Sequence, residues 1–261
     1  MIVVKFGGHA MRDENGAFAK AVAQAQRDGV ALVIVHGGGP QIDAALQAEE
    51  IDSEFIGGFR VTTSEIFDVV ERVLANEVGP AVAKSLQKAG VNAVALSGRT
   101  SESLIAEPLR KLVNGTPADL GLVGIITSVN PQAIANALKG GQVPVVSPIA
   151  TNESFNGGLN VNADLAAAAI AGALDANCLL IMTDVAGIYR NWPDTSSLIS
   201  EISAKELAEI KGTFAEGMAP KVQACLDAIS SGASSVRIID GTDPGAFALA
   251  LKNLGGTLVT K

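Results

Sequence analysis

The sequence predicts an α/β fold in which a central, mostly parallel sheet lies between two layers of helices, a three-layer αβα sandwich. Short runs rich in β-branched residues alternate with helical patterns along nearly all of the 261 residues. These runs lack polar alternation, as expected for strands that are covered on both faces. Hydrophobic residues make up 48% of the chain and aromatic residues only 4%. This composition favours a core of Val, Ile and Leu under alanine-rich helices.

The individual elements follow from this alternation in chain order. The predicted strands are Ile2–Phe6, Ala31–His36, Ala93–Leu96, Val143–Ser147, Cys178–Thr183 and Ser235–Asp240. The predicted helices are Ala17–Asp28, Pro40–Glu49, Ser64–Ala89, Pro131–Lys139, Asp164–Leu174, Pro220–Ser231 and Ala246–Leu251. The less regular stretch from Leu104 to Val129 predicts a β-hairpin that forms a lid or an insertion. Because no linker or repeat occurs, we expect one domain over residues 1–261, with lobes at about 1–172 and 173–261.

Composition excludes several classes of function. A formal net charge of −8 argues against nucleic acid as a partner, because a phosphate backbone needs a basic surface. The apolar stretches are too short to cross a bilayer, and the first residues leave no room for a signal peptide, so we expect a cytoplasmic protein without a membrane partner. Cys178 and Cys225 lie among apolar neighbours and are expected to be free thiols.

Two glycine loops follow the first two predicted strands. Gly7–Gly8 comes after a strand that contains Lys5, and Gly37–Gly39 comes after the next strand. Parallel strands end at one edge of the sheet, and glycine-rich loops there offer backbone N–H groups to anions. A lysine within an apolar strand needs an anion or a pocket. A second lysine, Lys221, closes the segment that begins at Gly217 and opens a later helix. Neither GxGxxG nor GxxxxGK[ST] occurs, so the pattern indicates phosphoryl transfer without a dinucleotide fingerprint or a P-loop.

Six segments, taken together and in this order, resemble the N-acetylglutamate kinases of the amino-acid kinase family. They are Val3–Gly8, Val35–Pro40, Gly58–Thr62, Asn160–Asp164, Thr183–Gly187 and Gly217–Lys221. The resemblance implies a sandwich of the amino-acid kinase type. It also implies transfer of the ATP γ-phosphoryl group to the side-chain carboxylate of N-acetyl-L-glutamate, which gives an acyl phosphate and ADP in arginine biosynthesis. The amino-terminal lobe would hold the acetylated amino acid and the carboxyl-terminal lobe the nucleotide.

The resemblance assigns the catalytic roles. A carboxylate is nucleophilic at neutral pH, so the reaction needs no general base. Catalysis depends instead on groups that stabilise charge on the transferred phosphoryl group. Lys5 and Lys221 would flank that group, and the backbone N–H groups of Gly8 and Gly38 would bind its oxygens. Asp164 would organise the two lysines. Two alternatives stay open: Asp164 as a helix N-cap, a role that can coexist with the first, and Lys221 as a solvated helix residue.

The resemblance also assigns the acceptor site. Arg60 would bind the substrate's α-carboxylate with its planar fork of donors, and Asn160 would bind the acetamido group. The alternative for Arg60 is an ordinary surface residue. The remaining acceptor-site residues are Gly37, Gly38 and Gly39. His9 and His36 are expected to be structural.

The nucleotide is expected to bind after the strand that ends at Thr183. The implied contacts are Gly7, Gly8, Thr183, Asp184, Gly187, Tyr189, Gly217, Met218 and Lys221. Tyr189 or Trp192 would border the adenine, or both would pack as ordinary turn aromatics. Because the sequence shows no Asp/Glu cluster with metal-binding spacing, no protein metal site is predicted; Mg²⁺ would arrive on ATP, held by phosphates and water.

Three differences from the relatives bear on assembly. Val78-Gly79-Pro80 replaces the common Val-Asn-Lys, and Pro80 is expected to kink or end its helix, which leaves the dimer geometry open. Ser97-Gly98-Arg99-Thr100 also departs from the usual segment. We expect the chain to lack the amino-terminal helix that some relatives use to form arginine-inhibited hexamers. We therefore expect a homodimer that is insensitive to arginine, and no feature indicates a regulatory protein partner.

Two other functions share parts of this pattern. One is a kinase of N-acetylated or carrier-linked 2-aminoadipate in lysine biosynthesis, whose substrate has one more methylene, a difference worth only about 1–3 kcal/mol. The intact Arg60-Val61-Thr62 segment argues against it. The other is a catalytically silent nucleotide-binding regulatory protein. Retention of Lys5, Asp164 and Lys221 together argues against that function.

Overall fold

The computed structural model describes residues 1–7, 13, 15–154, 157–214 and 218–261. The strands in this part of the chain are β1 (Ile2–Phe6), β2 (Leu32–His36), β3 (Phe55–Ile56), β4 (Phe59–Arg60), β5 (Ala93–Ser97), β6 (Leu104–Pro108), β7 (Val123–Val129), β8 (Val143–Ser147), β9 (Ile149–Asn152), β10 (Gly158–Val161), β11 (Cys178–Thr183), β12 (Glu201–Ser203), β13 (Ser235–Asp240) and β14 (Thr257–Thr260).

The helices of the described residues are mostly short and amphipathic. They are α1 (Ala17–Arg27), α2 (Gly39–Ala48), α3 (Ser64–Glu71), α4 (Gly79–Lys88), α5 (Gln132–Lys139), α6 (Ala163–Ala173), α7 (Ala204–Ile210), α8 (Ala219–Ser230) and α9 (Ala246–Ala250). A π-helical segment spans Arg72–Val78, and 3₁₀ turns span Thr195–Ser197 and Lys211–Thr213. Among these described helices, none combines the length and the apolar character needed to cross a bilayer.

The central sheet has the strand order β12-β14-β13-β11-β1-β2-β8-β5. The six strands from β13 to β5 are mutually parallel, and they are the six strands that the sequence predicts. At one edge β14 runs antiparallel to β13, and β12 pairs with β14. The chain leaves β1 toward β2 on one side and returns to β11 on the other. Ligands of open parallel sheets bind at such a reversal, outside the carboxyl ends of the strands.

Helices cover both faces of this sheet, which confirms the αβα sandwich. Alternate residues of a strand point to opposite faces. Val4 packs in a core with helices α1–α4 and α9, whereas its neighbour Val3 packs in a second core with α5–α8. Lys5 therefore points to the same face as Val3, where α6 and α8 lie.

The helix that contains Pro80 does not end there, so the expectation that Pro80 ends its helix is wrong. Residues 64–88 are helical throughout, as α3, the π-helical segment and α4. Proline lacks an N–H group, and its ring clashes with the carbonyl four residues earlier in an α-helix. A π-helical turn is wider and bonds residues five apart, so it moves that carbonyl away from the ring.

A smaller sheet positions the rest of the site. β6 and β7 form the predicted hairpin, with Leu104 paired to Val129, and they close with β9 and β10 into a small four-stranded barrel. β3 and β4 form a separate hairpin that carries Arg60. β10 also pairs with β7 and carries Asn160, which lines the same cavity as the glycine loop after β2.

Candidate active site

Lys5, Gly7 and the second glycine loop meet at the end of β1. The Lys5 side chain folds back over Gly7, since a Cβ added at Gly7 would lie 2.8 Å from the Lys5 Nζ. The backbone N–H of Gly37 donates to the carbonyl of Phe6 at 2.7 Å. This bond ties the second glycine loop to the first. Gly8 and His9 lie outside the described residues.

Asn162, rather than Asp164, caps helix α6. Its Oδ1 accepts from the backbone N–H groups of Asp164 at 2.9 Å and Leu165 at 3.3 Å. The interpretation of Asp164 as an N-cap is therefore wrong. Asparagine is an equally good capping residue, and it stands two positions earlier. Its bonds leave the Asp164 carboxylate free to face the lysines.

Lys5 and Lys221 converge on the two oxygens of the Asp164 carboxylate. Lys221, in the first turn of α8, donates to Oδ2 at 3.2 Å. The Lys5 Nζ lies 3.1 Å from Oδ1. The two groups form an ion pair, but their geometry is not that of a hydrogen bond. The side chains of Lys5 and Lys221 therefore stand on either side of one carboxylate that is only 3% exposed.

The electrostatics of this cluster favour a further anion. Burial by itself would raise the pKa of Asp164, but the charges of Lys5 and then of Lys221 outweigh burial and hold that pKa below its ordinary value. The carboxylate thus stays ionised. Two ammonium groups share one negative charge, so the cluster keeps a net positive charge at the edge of a largely buried site. The interpretation of Lys221 as a freely solvated residue is wrong.

The residues predicted for the acceptor line a single cavity of about 160 Å³. Arg60 and Asn160 contribute side chains, and the second glycine loop contributes backbone. The cavity also reaches the start of α6, directly before Asp164. Its lining is Gly37, Gly38, Gly39, Ile42, Phe55, Gly58, Phe59, Arg60, Leu74, Val123, Pro148, Asn160, Val161, Asn162 and Ala163.

Arg60 is buried and held on three sides, so it is not an ordinary surface residue. Its Nη2 donates to Asp43 Oδ1 at 2.6 Å and its Nη1 to Ser53 Oγ at 2.7 Å. The guanidinium also stacks 4.5 Å from the centre of the Phe55 ring. Sequence reasoning missed Asp43 and Ser53. A carboxylate on the helix after the glycine loop was the only available signal for Asp43.

Asn160 belongs to the same hydrogen-bond network. Its Nδ2 donates to Thr62 Oγ1 at 3.1 Å, and the Thr62 hydroxyl donates to the Arg60 carbonyl at 2.8 Å. Thr62 is fully buried. These bonds fix the amide of Asn160 relative to Arg60 before any ligand binds.

His36 is fully buried at the end of β2. Its Nδ1 lies 2.7 Å from the carbonyl oxygen of Gly37, and Nε2 has no hydrogen-bond partner in the described part of the chain. Burial lowers the pKa of His36 to about 4, although the bond to Gly37 opposes this shift. The imidazole is therefore neutral at physiological pH.

The residues predicted to bind the nucleotide follow β11, which lies on the other side of β1 from β2. Thr183 is buried at the strand end, and its carbonyl accepts from Gly241 N–H at 2.7 Å. Gly187 packs so closely on Thr257 that an added Cβ would clash with the threonine Oγ1. Asp184 is exposed.

Two aromatic rings stand beyond this strand end. The rings of Tyr189 and Trp192 meet edge to face at 5.2 Å, and Trp192 is 64% exposed. Met218 immediately precedes α8, which carries Lys221, while Gly217 lies outside the described residues. Among the described residues, no group of three or more His, Cys, Asp or Glu side chains is placed to hold a metal ion.

A parallel α/β sandwich with two glycine loops and a buried Lys–Asp–Lys cluster at its carboxyl edge is the architecture of a small-molecule kinase. The chain belongs to the amino acid kinase family, whose model matches residues 1–240. It is 45% identical over 249 residues to the acetylglutamate kinase of Kineococcus radiotolerans, covering 92% of this chain and 83% of that one. It is 47% identical over 252 residues to the acetylglutamate kinase of Beutenbergia cavernae, covering 95% and 81%.

A solved structure supports the same fold. The crystal structure of a protein from Streptococcus mutans UA159 superposes with a TM-score of 0.83 at 29% identity. The superposition covers 99% of this chain and 98% of that one.

Proposed function

We propose that this protein is an acetylglutamate kinase, which uses ATP to phosphorylate the side-chain carboxylate of N-acetyl-L-glutamate in arginine biosynthesis. The observation that carries the proposal is the Lys5–Asp164–Lys221 cluster beside a cavity lined by Arg60 and Asn160. The names and the 45–47% identity of the relatives support the same activity.

The reaction needs charge stabilisation more than proton transfer. The substrate carboxylate forms a bond to the γ-phosphorus of ATP as the bond from that phosphorus to the bridging oxygen breaks, so the products are an acyl phosphate and ADP. Lys5 and Lys221 flank the transferred group, while Asp164 keeps both ammonium groups in place. Because the donors are oriented beforehand, little reorganisation is needed in the transition state. Gly8 and Gly38 donate backbone N–H groups to the phosphoryl oxygens.

The acceptor is proposed to be recognised by Arg60 and Asn160, which line the same cavity. Arg60 binds the α-carboxylate through donors that Asp43 and Ser53 leave free, and Asn160 binds the acetamido group. The backbone of Gly37, Gly38 and Gly39 completes the site. The side-chain carboxylate then points toward the lysines.

The nucleotide is proposed to bind from the opposite side, in the lobe of about residues 173–261, and the acceptor in the lobe of about 1–172. The proposed nucleotide contacts are Gly7, Gly8, Thr183, Asp184, Gly187, Tyr189, Gly217, Met218 and Lys221. Mg²⁺ is proposed to arrive with ATP and to bind chiefly to phosphate oxygens and water.

An ATP-dependent hydroxamate assay, which traps acyl phosphates, tests the function across a panel of acceptors. We expect turnover of acetylglutamate well above that of acetylaminoadipate, glutamate and aspartate. Equal turnover of unacetylated glutamate would contradict the role of Asn160. Preference for acetylaminoadipate would favour the lysine-pathway alternative, and no turnover of any acceptor would favour a silent nucleotide-binding protein.

We also propose that the chain forms a homodimer that arginine does not inhibit. Sedimentation velocity should give the mass of two chains, and activity should be unchanged by added arginine. A hexamer, or inhibition by arginine, would contradict this part of the proposal.

A further inference from the structure

The buried ring of His36 takes no part in the proposed chemistry, yet its position is closely defined. The Gly37 carbonyl can only accept, so Nδ1 carries the ring proton and donates to it at 2.7 Å. Nε2 is then a bare acceptor, without a partner among the described residues. A buried polar atom without a partner is uncommon and destabilising. The unpaired Nε2 is therefore a cost of placing the ring here, and the bond from Nδ1 is the interaction that could offset it.

That bond controls the direction of a neighbouring N–H group. The peptide between Gly37 and Gly38 is trans and planar, so the Gly37 carbonyl and the Gly38 N–H point in opposite directions. Glycines on both sides leave such a peptide free to rotate. The groups that flank it are fixed, since Gly37 N–H donates to Phe6 and the Gly38 carbonyl accepts from Ile42 at 2.9 Å. Within the described residues, the bond from His36 is what fixes the peptide in between.

We propose that His36 is a positioning residue for phosphoryl transfer: by holding the Gly37 carbonyl, it aims the Gly38 N–H into the acceptor cavity. The proposal rests on the proposed function. Gly38 lines the cavity with Arg60 and Asn160. Its N–H donates to no described residue, so it is available to an oxygen of the transferred group.

Close packing keeps the ring in this orientation. A Cβ added at Gly79 would lie 3.1 Å from His36 Nε2 and 3.3 Å from the Leu74 carbonyl. Glycine at position 79 therefore lets the helix approach the ring edge. On the far side of the loop, a Cβ at Gly38 would clash with Leu74 Cδ2, so the same leucine confines the loop.

Two variants separate the hydrogen bond from the packing. His36→Phe keeps a ring without a donor, whereas in His36→Asn the side-chain amide offers an N–H near the position of Nδ1. We expect His36→Phe to lower kcat on the order of 10–100-fold, with KM values for ATP and acetylglutamate nearly unchanged. The reason is that the Gly38 N–H, which His36 positions, acts on the transition state. His36→Asn should recover most of kcat. Binding of ADP with aluminium fluoride, which mimics the transferred group, should weaken in His36→Phe by a similar factor, while ADP alone binds as before.

A kcat of His36→Phe equal to that of the parent would overturn the proposal. So would equal losses in both variants together with raised KM values, which would indicate a packing role. If His36→Phe does not fold, ¹⁵N NMR of the parent decides: a proton on Nδ1 supports the proposal, and a proton on Nε2 overturns it. An inactive parent would instead refute the proposed function, and the NMR result would still report on the His36–Gly37 contact.

Discussion

The cavity proposed for the acceptor and the edge proposed for the nucleotide are built differently. On the acceptor side, the groups that would read the substrate are bonded to one another before anything binds: Arg60 to Asp43, and Asn160 through Thr62 back to Arg60. On the nucleotide side, Trp192 is 64% exposed. A pre-organised polar network gives selectivity, because a wrong ligand leaves buried groups unpaired. An exposed ring contributes mainly contact area.

Substitutions should therefore have large effects at the shared cluster, selective effects in the acceptor cavity, and small effects at the exposed edge.

The largest effect is expected at the cluster that both sides share. Lys221→Ala removes one of the two charges around the transferred group, so kcat should fall by about 10²–10³. The measurement is steady-state kinetics with both substrates varied. Lys139→Ala, at the exposed end of α5, is the matched control and should keep the activity of the parent. A Lys221→Ala enzyme with nearly unchanged kcat would show that the cluster is structural.

A selective effect is expected at Arg60. Truncation to alanine removes the proposed α-carboxylate contact and the ion pair with Asp43, whose side chain is 58% exposed and stays solvated after the change. The KM for acetylglutamate should rise by about ten- to a hundredfold, while the KM for ATP stays near that of the parent. Arg27→Ala, on the exposed face of α1, is the control. Equal rises in the KM values for acetylglutamate and ATP would contradict a role of Arg60 in the acceptor site alone.

The buried acceptor side should also show a pH dependence of stability. His36 has a pKa of about 4 when folded, against 6.5 for the ordinary group, so the unfolded chain binds a proton first as pH falls. The contribution of His36 to the free energy of unfolding is fully present above the pKa of the unfolded chain. It is lost progressively as pH falls from that value to the pKa of the folded protein. Between about pH 7 and pH 4.5, the parent should lose about 2 kcal/mol more unfolding free energy than His36→Asn. Urea unfolding at the two pH values measures this difference, and equal losses would contradict the burial effect.

The smallest effect is expected at the exposed edge. Trp192→Ala should raise the KM for ATP by about fivefold, because one exposed ring contact contributes about 1 kcal/mol. The KM for acetylglutamate should not change. Leu254→Ala, another exposed apolar residue, is the control. A loss as large as that of Lys221→Ala would mean that this edge is organised as tightly as the cavity.

Much of the fold was predictable because buried parallel strands are continuous apolar runs. All six parallel strands of the central sheet were predicted, whereas β12, β14 and α7 were missed because they are short or partly exposed. Pro80 was expected to kink or end its helix, and the π-helical segment that accommodates the proline has no local sequence signal.

The candidate site was predictable only in part. Lys5 and the glycine loops stand out because charge and glycine interrupt apolar runs. The contacts of Asp43 and Ser53 with Arg60 join segments that only the tertiary fold brings together. The cap at Asn162 was missed because two good capping residues lie two positions apart, and the backbone alone decides between them.

The most direct test is a crystal structure of the protein with ADP, aluminium fluoride and acetylglutamate. Both Nζ atoms, of Lys5 and of Lys221, should lie within about 3.2 Å of fluorine atoms on the same planar aluminium fluoride unit, a normal hydrogen-bond distance. Asp164 should still contact both lysines. A structure in which either lysine lies out of reach of that unit would contradict phosphoryl transfer between these two ammonium groups.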